Sequence, residues 1–412
     1  MKLLILTQYF PPETGAPQNR LLQLAKRLQN LGVMVTVLTA MPNYPKMRIF
    51  DGYSRKFYCF ETIEGIPVHR CWIYAGTSKA ILPRLVNYFS FVKTSFLIGL
   101  LKIGRQDFIF CESPPLFLGI SAWLLTKFKR AQLIFNVSDL WPESAEKLGL
   151  VTNRTLLNLS TYLEEFLYRH SVIISGQTQG IVKNILSRFP EKPVLWLKNG
   201  ADPREINSIV PNPAWRGNNG FKADDFIVVY AGIIGHAQGL EVILNAARIL
   251  KSIKEVKFLL VGNGPVRDKL MAMKEEYGLS NVIFIENCPK PEVIRIIHAT
   301  DATVIPLRRL DLFKGAIPSK IFENLALRKP ILLGVEGEAK EIFIDKGKAG
   351  WAFEPENASE LADLVRRLSQ NKYLLSQAGE NGYQLLLREF DLDIIAAGFL
   401  AAIQNYCHER TF

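Results

Sequence analysis

One short segment combines an ammonium group and a carboxylate within a single helical turn. The segment from Gly315 to Glu323 follows an apolar, strand-like run and contains a Pro-Ser pair where a helical pattern begins. Ser319 is expected to cap that helix, whose free N–H groups and dipole favour an anion. Lys320 adds a positive charge there, and Glu323 could accept hydrogen bonds from vicinal hydroxyls. This arrangement suits a sugar nucleotide, although an ordinary capped helix with a surface Lys and Glu has the same spacing.

Two loops in the first half of the chain could also contact a ligand. Gly15 follows the first predicted strand and allows close approach of the backbone to an anion, and Arg20 lies in the next helix's first turn. Asp139, Trp141 and Glu143 follow a later predicted strand. Two carboxylates and an indole suit the hydroxyls and ring faces of a sugar. The alternative for this second loop is an acidic residue that caps a short helix.

The elements that must position these residues alternate along almost the whole chain. Apolar runs typical of strands are separated by helical periodicity, which predicts an α/β protein with two doubly wound parallel sheets. A turn through Gly262 and Gly264 joins one strand of the second half to its helix. The domains are expected at 1–198 and 199–383, with ligands bound in the cleft that their strand ends face. The predicted strands are Leu3–Thr7, Val33–Thr39, Phe108–Cys111, Leu133–Val137, Val172–Ser175, Val194–Leu197, Phe226–Tyr230, Phe258–Val261, Val282–Ile285, Thr303–Ile305 and Ile331–Leu333.

Composition excludes several classes of protein. Of the 412 residues, 48% are hydrophobic and 22% are charged, which indicates large globular cores rather than disorder. The five cysteines are scattered without a Cys-x-x-Cys pair, so we expect reduced thiols in a cytoplasmic protein and no zinc site. The chain runs from Met1 directly into a strand-like segment, and no signal peptide is therefore expected.

The excess of basic over acidic residues lies entirely in the first half of the chain. Residues 1–190 contain 22 basic and 11 acidic residues, which accounts for the whole net charge of +11. This half is expected to face an anionic surface, and nucleic acid is the weakest option because no recognition motif accompanies the charge. Residues 81–105 interleave basic and aromatic residues, which suits a helix in the membrane interface, but Lys93 at the middle excludes a spanning helix. The alternative is a helix of the domain core.

Six motifs in order give the chain a resemblance to a known family. It resembles the retaining glycosyltransferases of family 4, which have the GT-B fold, over essentially its full length. Within that family it is most similar to bacterial enzymes that build O-antigen and capsular polysaccharides. The motifs are Gln8-Tyr9-Phe10-Pro11-Pro12-Glu13-Thr14-Gly15, Asp139-Leu140-Trp141-Pro142-Glu143-Ser144, Asn199-Gly200-Ala201-Asp202, Tyr230-Ala231-Gly232 with Ala237-Gln238-Gly239-Leu240, Val261-Gly262-Asn263-Gly264-Pro265 and Ile317-Pro318-Ser319-Lys320-Ile321-Phe322-Glu323.

The resemblance implies how the two domains divide the reaction. The second domain would hold a nucleoside diphosphate sugar, with Gly232 and Gln238 among its contacts. The first domain would hold the acceptor, a saccharide on a polyprenyl diphosphate, at the cytoplasmic face of the plasma membrane. Residues 384–412 would cross back to the first domain. The implied activity is a hexosyltransferase-type transfer with retention at the anomeric carbon, in which Asp139, Lys320 and Glu323 take part.

The sequence departs from the family pattern at three positions. Gly315 stands where the first of two family glutamates would be, and Ile233 and Gln238 stand where an arginine and a lysine usually bind the donor diphosphate. Lys320 and Arg20 are the candidates to replace them. We expect no cofactor and no metal, because a basic residue and helix dipoles at the site would stabilise the diphosphate without one. A nucleotide-sugar epimerase of the same fold and a non-catalytic partner subunit remain as alternatives.

Overall fold

The computed structural model describes residues 1–45, 47–76, 81–147 and 151–409. Contacts divide the chain into two compact units. The first unit comprises Met1–Asn199 and Leu392–Phe412, and the second comprises Gly200–Asp391. Each unit contains one sheet with helices on both faces. The predicted α/β class with two Rossmann-like sheets is therefore confirmed.

The first unit is built on an eight-stranded sheet with the order β3-β4-β2-β1-β5-β6-β7-β8. All neighbouring strands are parallel except β3 and β4, which form an antiparallel hairpin at one edge that the sequence did not predict. The strands are β1 Lys2–Leu6, β2 Met34–Ala40, β3 Tyr58–Ile63, β4 Ile66–Cys71, β5 Phe108–Ser113, β6 Gln132–Val137, β7 Ile173–Gly176 and β8 Val194–Trp196. The helices are α1 Ala16–Asn30, α2 Ile81–Lys102, α3 Leu118–Lys129, α4 Glu143–Lys147, α5 Arg154–His170 and α6 Gln179–Arg188.

The central strands are apolar on both sides because helices cover both faces of the sheet. All six residues of β5 are buried. One core cluster joins the sheet to α2, α3 and α5 through residues such as Phe91, Leu125 and Leu167. The other core cluster joins the opposite face to α1 through Leu21 and Leu28. Continuous apolar strands of this kind are typical of parallel sheets.

The second unit is built on a six-stranded, fully parallel sheet with the order β11-β10-β9-β12-β13-β14. Its strands are β9 Phe226–Ala231, β10 Val256–Val261, β11 Val282–Ile285, β12 Ala302–Pro306, β13 Ile331–Gly334 and β14 Gly350–Ala352. Its helices are α7 Pro203–Asn207, α8 Trp215–Asn218, α9 Glu241–Ile249, α10 Arg267–Tyr277, α11 Lys290–His298, α12 Lys320–Ala326, α13 Ala358–Ser369 and α14 Lys372–Leu385. Short 3₁₀ turns cover His236–Gln238 and Asp311–Gly315, and π-helical turns cover Lys340–Lys346 and Leu386–Phe390.

The end of the chain belongs to both units. The change occurs at Leu392 and not at residue 384, because Phe390 still packs on Phe322 and Phe343 of the second unit, with ring centroids 5.3 Å apart in both pairs. The last helix, α15, covers Leu392–Glu409 and packs on α1 and the first sheet. Its Phe399 lies edge-on to Phe110 with centroids 5.6 Å apart. The last three residues of the predicted 384–412 segment, 410–412, lie outside the described residues.

Helix α2 has one buried face and one exposed face. Phe91 and Ile98 lie in the core, as the core-helix interpretation predicts. On the other face, Lys93 is exposed between Phe89 and Leu101, which expose 39% and 66% of their surface. Among the described residues, none of the helices combines the length and the hydrophobicity that crossing a bilayer requires.

Candidate functional site

A cavity of 260 Å³ lies at the carboxyl end of the second sheet. The ends of β9 and β10, the loop after β11 and the starts of α11 and α12 contribute to its wall. Four of the predicted site residues therefore lie together, namely Gly232, Gly262, Lys320 and Glu323. Val293, Ile297 and Val261 give part of the wall an apolar character. This position agrees with the rule that ligands of doubly wound sheets bind beyond the carboxyl ends of the strands.

Two glycine turns approach each other so closely that side chains would not fit between them. Gly232 and Gly262 have φ angles of +144° and +135°, and a Cβ on Gly262 would lie 2.1 Å from the carbonyl oxygen of Gly232. A Cβ on Gly264 would lie 2.3 Å from the carbonyl oxygen of Ile234, whose N–H donates to Asn263 at 2.9 Å. Gly264 therefore supports the turn, whereas Gly232 and Gly262 line the cavity.

The ammonium group of Lys320 lies against an aromatic ring. Its Nζ lies 3.8 Å from the centroid of Tyr230, whose hydroxyl donates to the carbonyl of Ile233 at 2.5 Å. A Cβ on Gly232 would lie 2.8 Å from the same Nζ. Burial lowers the pKa of Lys320 to about 7, and the charge of Glu323 opposes this shift in part. A ligand that brings negative charge to this position would favour the protonated form.

The carboxylate of Glu323 faces a second cation that the sequence analysis missed. Lys290, the first residue of α11, lies 3.6 Å from Glu323 and 3.7 Å from Glu205. Lys290 also lines the cavity. Its only signal in the sequence was the Pro289-Lys290-Pro291 start of a helix after a strand, which is a common helix start.

Three further residues named from the donor motifs are not among those that line the cavity. Ser319 has helical backbone angles and makes no side-chain capping hydrogen bond, so its predicted capping role is wrong. Helix α12 has only seven residues, which limits its dipole, and Lys320 carries most of the positive charge. Gln238 lies in a short 3₁₀ turn, where its Oε1 would lie 2.7 Å from a Cβ on Gly235. Gly315 lies in the other 3₁₀ turn, with open space where a side chain would begin.

In the first unit, Arg20 is held in a buried network at the carboxyl ends of the strands. Its guanidinium donates to Glu112 of β5 at 2.6 Å, and both side chains are less than 10% exposed. It also donates to Ser138 at 3.2 Å, and the Gln177 amide, oriented with its oxygen toward Arg20, accepts from Nε at 2.6 Å. Asn136 donates to the other oxygen of Glu112 at 2.8 Å. The charge of Arg20 is therefore neutralised, which speaks against its predicted role with an anion.

The loop after β6 places its acidic residues at the surface. Asp139 is exposed and accepts a hydrogen bond from the hydroxyl of Ser144. Trp141 is half-buried and packs edge-on against Phe117, with centroids 5.9 Å apart. Glu143 pairs with Lys147 at 2.6 Å, one turn along α4. Both acidic residues are therefore connected to the short helix α4, Glu143 as its first residue and Asp139 through the hydroxyl of Ser144.

The loop after β1 is fixed by a glutamate that the analysis did not select. Glu13 is buried, and its carboxylate accepts backbone N–H groups of Asn43 at 2.7 Å, Tyr44 at 2.8 Å and Phe10 at 3.2 Å. Burial raises the pKa of Glu13, and these hydrogen bonds oppose the shift. Gly15, two residues after Glu13, has extended backbone angles, and a Cβ there would lie 2.4 Å from Gln18 Oε1. The structure places Gly15 at the start of α1.

In the described part of the chain, no group of three or more His, Cys, Asp or Glu side chains is arranged to hold a metal ion. The expectation of a metal-free site stays a prediction.

Two units of this kind in one chain are typical of the GT-B class of glycosyltransferases. Two family models match the chain, "Glycosyl transferase 4-like domain" over residues 15–200 and "Glycosyl transferases group 1" over residues 211–385. The chain belongs to the family 4 glycosyltransferases, and it is an enzyme of that class. The predicted resemblance is confirmed.

Relatives and solved structures agree with this assignment. The chain is 24% identical to a putative colanic acid biosynthesis glycosyl transferase, WcaI, of Escherichia coli K12, over 79% of this chain and 81% of the relative. It is 24% identical to a probable glycosyltransferase, WbjE, of Pseudomonas aeruginosa, over 65% and 68%. Its fold is similar to HepE of Anabaena in complex with UDP-glucose, with a TM-score of 0.69, 16% identity and coverage of 98% of this chain and 100% of the other.

Proposed function

We propose that the protein transfers a sugar from a UDP-sugar, with retention of the anomeric configuration, to a saccharide on a polyprenyl diphosphate. The product would be a precursor of a cell-surface polysaccharide. The name of the WcaI relative supports the biosynthetic setting, and the HepE complex supports a uridine nucleotide. The single observation that supports the proposal most is the cavity that joins Gly232, Gly262, Lys320 and Glu323.

The chemistry of the leaving group explains why a lysine in this cavity matters. Cleavage of the sugar–phosphate bond develops negative charge on the diphosphate, and fixed positive charge at that position stabilises the transition state. Lys320 is held against the Tyr230 ring beside the two glycine turns, where backbone N–H groups can approach phosphate oxygens. Glu323 would accept hydrogen bonds from sugar hydroxyls, and Lys290 would complete the positive side of the cavity. No metal is required in this mechanism.

The first unit would supply the acceptor side of the reaction. Asp139 lies exposed beyond the carboxyl end of β6, and its carboxylate would accept the acceptor's proton or stabilise an oxocarbenium ion. The exposed stripe of α2 with Lys93, together with the positive charge of this half, supports peripheral binding to the cytoplasmic face of the membrane. The enzyme would thus reach a carrier lipid from the surface of the membrane.

The donor is identified by thermal stabilisation of the full chain with a panel of UDP-, GDP-, dTDP- and CMP-sugars. A ligand at 100 times its dissociation constant stabilises the native state by about 2.7 kcal/mol. We expect a UDP-sugar to stabilise the wild type but not Lys320→Met. Lys372 is an exposed residue of α14, and the control variant Lys372→Met should be stabilised as the wild type is. If none of the panel stabilises the wild type, the proposed function is wrong.

The reaction is then tested with the stabilising donor and alkyl diphosphate saccharides. Release of UDP that depends on the acceptor, with a product of the donor's anomeric configuration by NMR, is the expected result. Isomerised nucleotide sugar without an acceptor would identify an epimerase. Binding without turnover under any acceptor would identify a non-catalytic partner.

A further inference from the structure

Four loops beyond the carboxyl edge of the first sheet bring aromatic residues together, and α2 adds another. Tyr44 follows β2, Tyr9 follows β1, Phe117 follows β5 and Trp141 follows β6, and these strands are consecutive neighbours in the sheet. Tyr88 of α2 lies between the second and third of them. We call these five residues the aromatic row: Tyr44, Tyr9, Tyr88, Phe117 and Trp141.

Ring contacts connect the residues within each end of the row, and hydrogen bonds of Gln8 connect the two ends. The rings of Tyr9 and Tyr44 meet edge-on with centroids 5.7 Å apart. Phe117 is buried under the other end, with Tyr88 at 6.4 Å and Trp141 at 5.9 Å. The two ends are joined through Gln8, whose side-chain nitrogen donates to the Tyr9 hydroxyl at 3.2 Å and to Asn87 Oδ1, next to Tyr88, at 3.0 Å.

The four members of the row other than Phe117 are accessible and uncharged, and they lie beside a cation. Tyr44 exposes 42% of its surface, and Tyr9, Tyr88 and Trp141 are half-buried. Burial raises the pKa of both Tyr9 and Tyr88, so their hydroxyls stay protonated and can donate hydrogen bonds. Arg84, exposed one turn before Tyr88 on α2, is close enough to act on both hydroxyls electrostatically. Gln8 Oε1 is buried and accepts no hydrogen bond from the described residues.

We propose that the aromatic row with Arg84 is the acceptor site, and that it binds a saccharide of at least two sugars linked to a diphosphate. This inference rests on the proposed function. Sugar rings pack their C–H faces on aromatic rings, while tyrosine and amide groups meet their hydroxyls. Tyr44 and Trp141 follow strands that are three positions apart in the sheet, which is about 14 Å at the usual strand spacing and more than one sugar ring covers. Arg84 would bind the diphosphate, for which a guanidinium is well suited.

In the first unit the charged pair of Arg20 and Glu112 is buried, and the accessible surface beside it is aromatic. A site of this kind selects its ligand by the shape of the ring faces and by the number of sugars.

The experiment uses the full chain with undecyl diphosphate, undecyl diphosphate N-acetylglucosamine and a set of undecyl diphosphate disaccharides. The variants are Tyr44→Leu, Tyr88→Leu and Arg84→Gln, and the matched control is Tyr162→Leu, an exposed tyrosine of α5. We expect the acceptor KM for the disaccharides to rise about threefold to tenfold in each tyrosine variant, with donor KM and kcat unchanged. Arg84→Gln should weaken all three classes of probe, including the sugar-free diphosphate. The control should match the wild type.

Failure of this inference differs from failure of the proposed function. If transfer occurs and the tyrosine variants keep the wild-type acceptor KM, the aromatic row is not the acceptor site, although the protein is still a transferase. If no transfer occurs, calorimetric titration of the same probes decides. Binding of the disaccharides that is lost in Tyr44→Leu and Tyr88→Leu supports the row, and equal or absent binding in all proteins overturns it. Circular dichroism of each variant identifies any that is unfolded, and Tyr44→Phe and Tyr88→Phe then replace it.

Discussion

The carboxyl ends of the two sheets handle positive charge in opposite ways. In the first unit, Arg20 is buried and paired with Glu112 at 2.6 Å, so its charge is already used within the protein. In the second unit, Lys320 lies against the face of Tyr230 beside two glycine turns, and burial lowers its pKa to about 7. Loss of one member of a buried ion pair destabilises the fold. A poorly solvated ammonium group, by contrast, is a candidate to bind an anionic ligand. We therefore expect the charge at the first sheet to serve the fold and the charge at the second sheet to serve ligand binding.

The largest effect is expected where the first unit loses its buried cation. Arg20→Met leaves Glu112 buried and unpaired, which should lower the free energy of unfolding by about 3–5 kcal/mol. Urea unfolding of the full chain, followed by circular dichroism, measures this loss. The exposed pair of Arg169 and Glu165 is the control, since Arg169→Met should cost less than about 1 kcal/mol. The double variant Arg20→Met with Glu112→Leu should recover much of the loss. Equal stability of Arg20→Met and wild type would break the comparison.

In the second unit the same kind of change should remove activity and leave the fold intact. Lys320→Met removes the positive charge that stabilises the leaving diphosphate. Turnover at saturating donor should therefore fall about a hundredfold to a thousandfold. Initial rates of nucleotide release measure the effect, with Lys372→Met as the control. Glu323→Gln tests the hydroxyl acceptor in the same assay, against the exposed Glu276→Gln. Near wild-type turnover in both site variants would place the donor elsewhere.

Binding to lipid should depend on the positive charge of the first half of the chain. Each basic residue near an anionic surface contributes about 1 kcal/mol, so Lys93→Glu with Lys102→Glu should weaken binding to phosphatidylglycerol vesicles by about 2 kcal/mol or more. Co-sedimentation of the full chain at low and high salt measures this. The matched pair Lys222→Glu with Lys372→Glu lies in the second unit and should bind as the wild type does. Identical loss in both pairs would show that net charge alone matters.

The pH dependence of donor binding should report the unusual state of Lys320. Its pKa is about 7 in the free protein, and a bound diphosphate raises that value. Donor binding above pH 7 must therefore take up a proton, and the dissociation constant should rise by up to about tenfold per pH unit from pH 7 upward. Calorimetric titration between pH 6 and pH 9 measures the slope. Below pH 7 the contribution is constant, and Lys320→Met should remove the slope. A slope that persists in this variant would assign it to another group.

The smallest effect is expected from chelation. Turnover in excess EDTA should equal turnover in buffer, because the proposed mechanism stabilises the diphosphate with Lys320 and backbone N–H groups. The assay compares EDTA alone with EDTA followed by excess magnesium. Loss of activity that magnesium restores would sink the metal-free mechanism and would weaken the contrast between the two sheets.

The sequence predicted the elements that have a local signature. The apolar runs of β1, β5 and β10 were found because both sides of these strands are buried. The β3–β4 hairpin was missed because β3 lies at an edge, where its burial alternates and its sequence includes a charged residue. Local signals also selected Gly262, Lys320 and Glu323, and the family resemblance selected Gly232; all four line the cavity of the second unit. Their meeting in one cavity needed only the rule that parallel strands end at the same edge.

The features that were missed depend on contacts between distant parts of the chain. Glu112 reads as the end of an apolar strand, and its pairing with Arg20 spans 92 residues. The ring of Tyr230 reads as part of a buried strand, and its contact with Lys320 appears only when β9 and α12 are brought together. Ser319 failed as a cap because its own backbone is already helical, so its side chain does not reach the free N–H groups. Spacing along a sequence does not encode these distances.

The position of α15 has a consequence for the order of synthesis. Ala396, Phe399 and Ile403 are buried in the core of the first unit, against a sheet whose strands are all made before residue 200. The ribosome therefore completes the whole second unit before it releases the side chains that close this core. Until then, the face of the sheet around Phe110 lacks part of its apolar cover. The domain whose synthesis begins first is thus the last to reach its final packing.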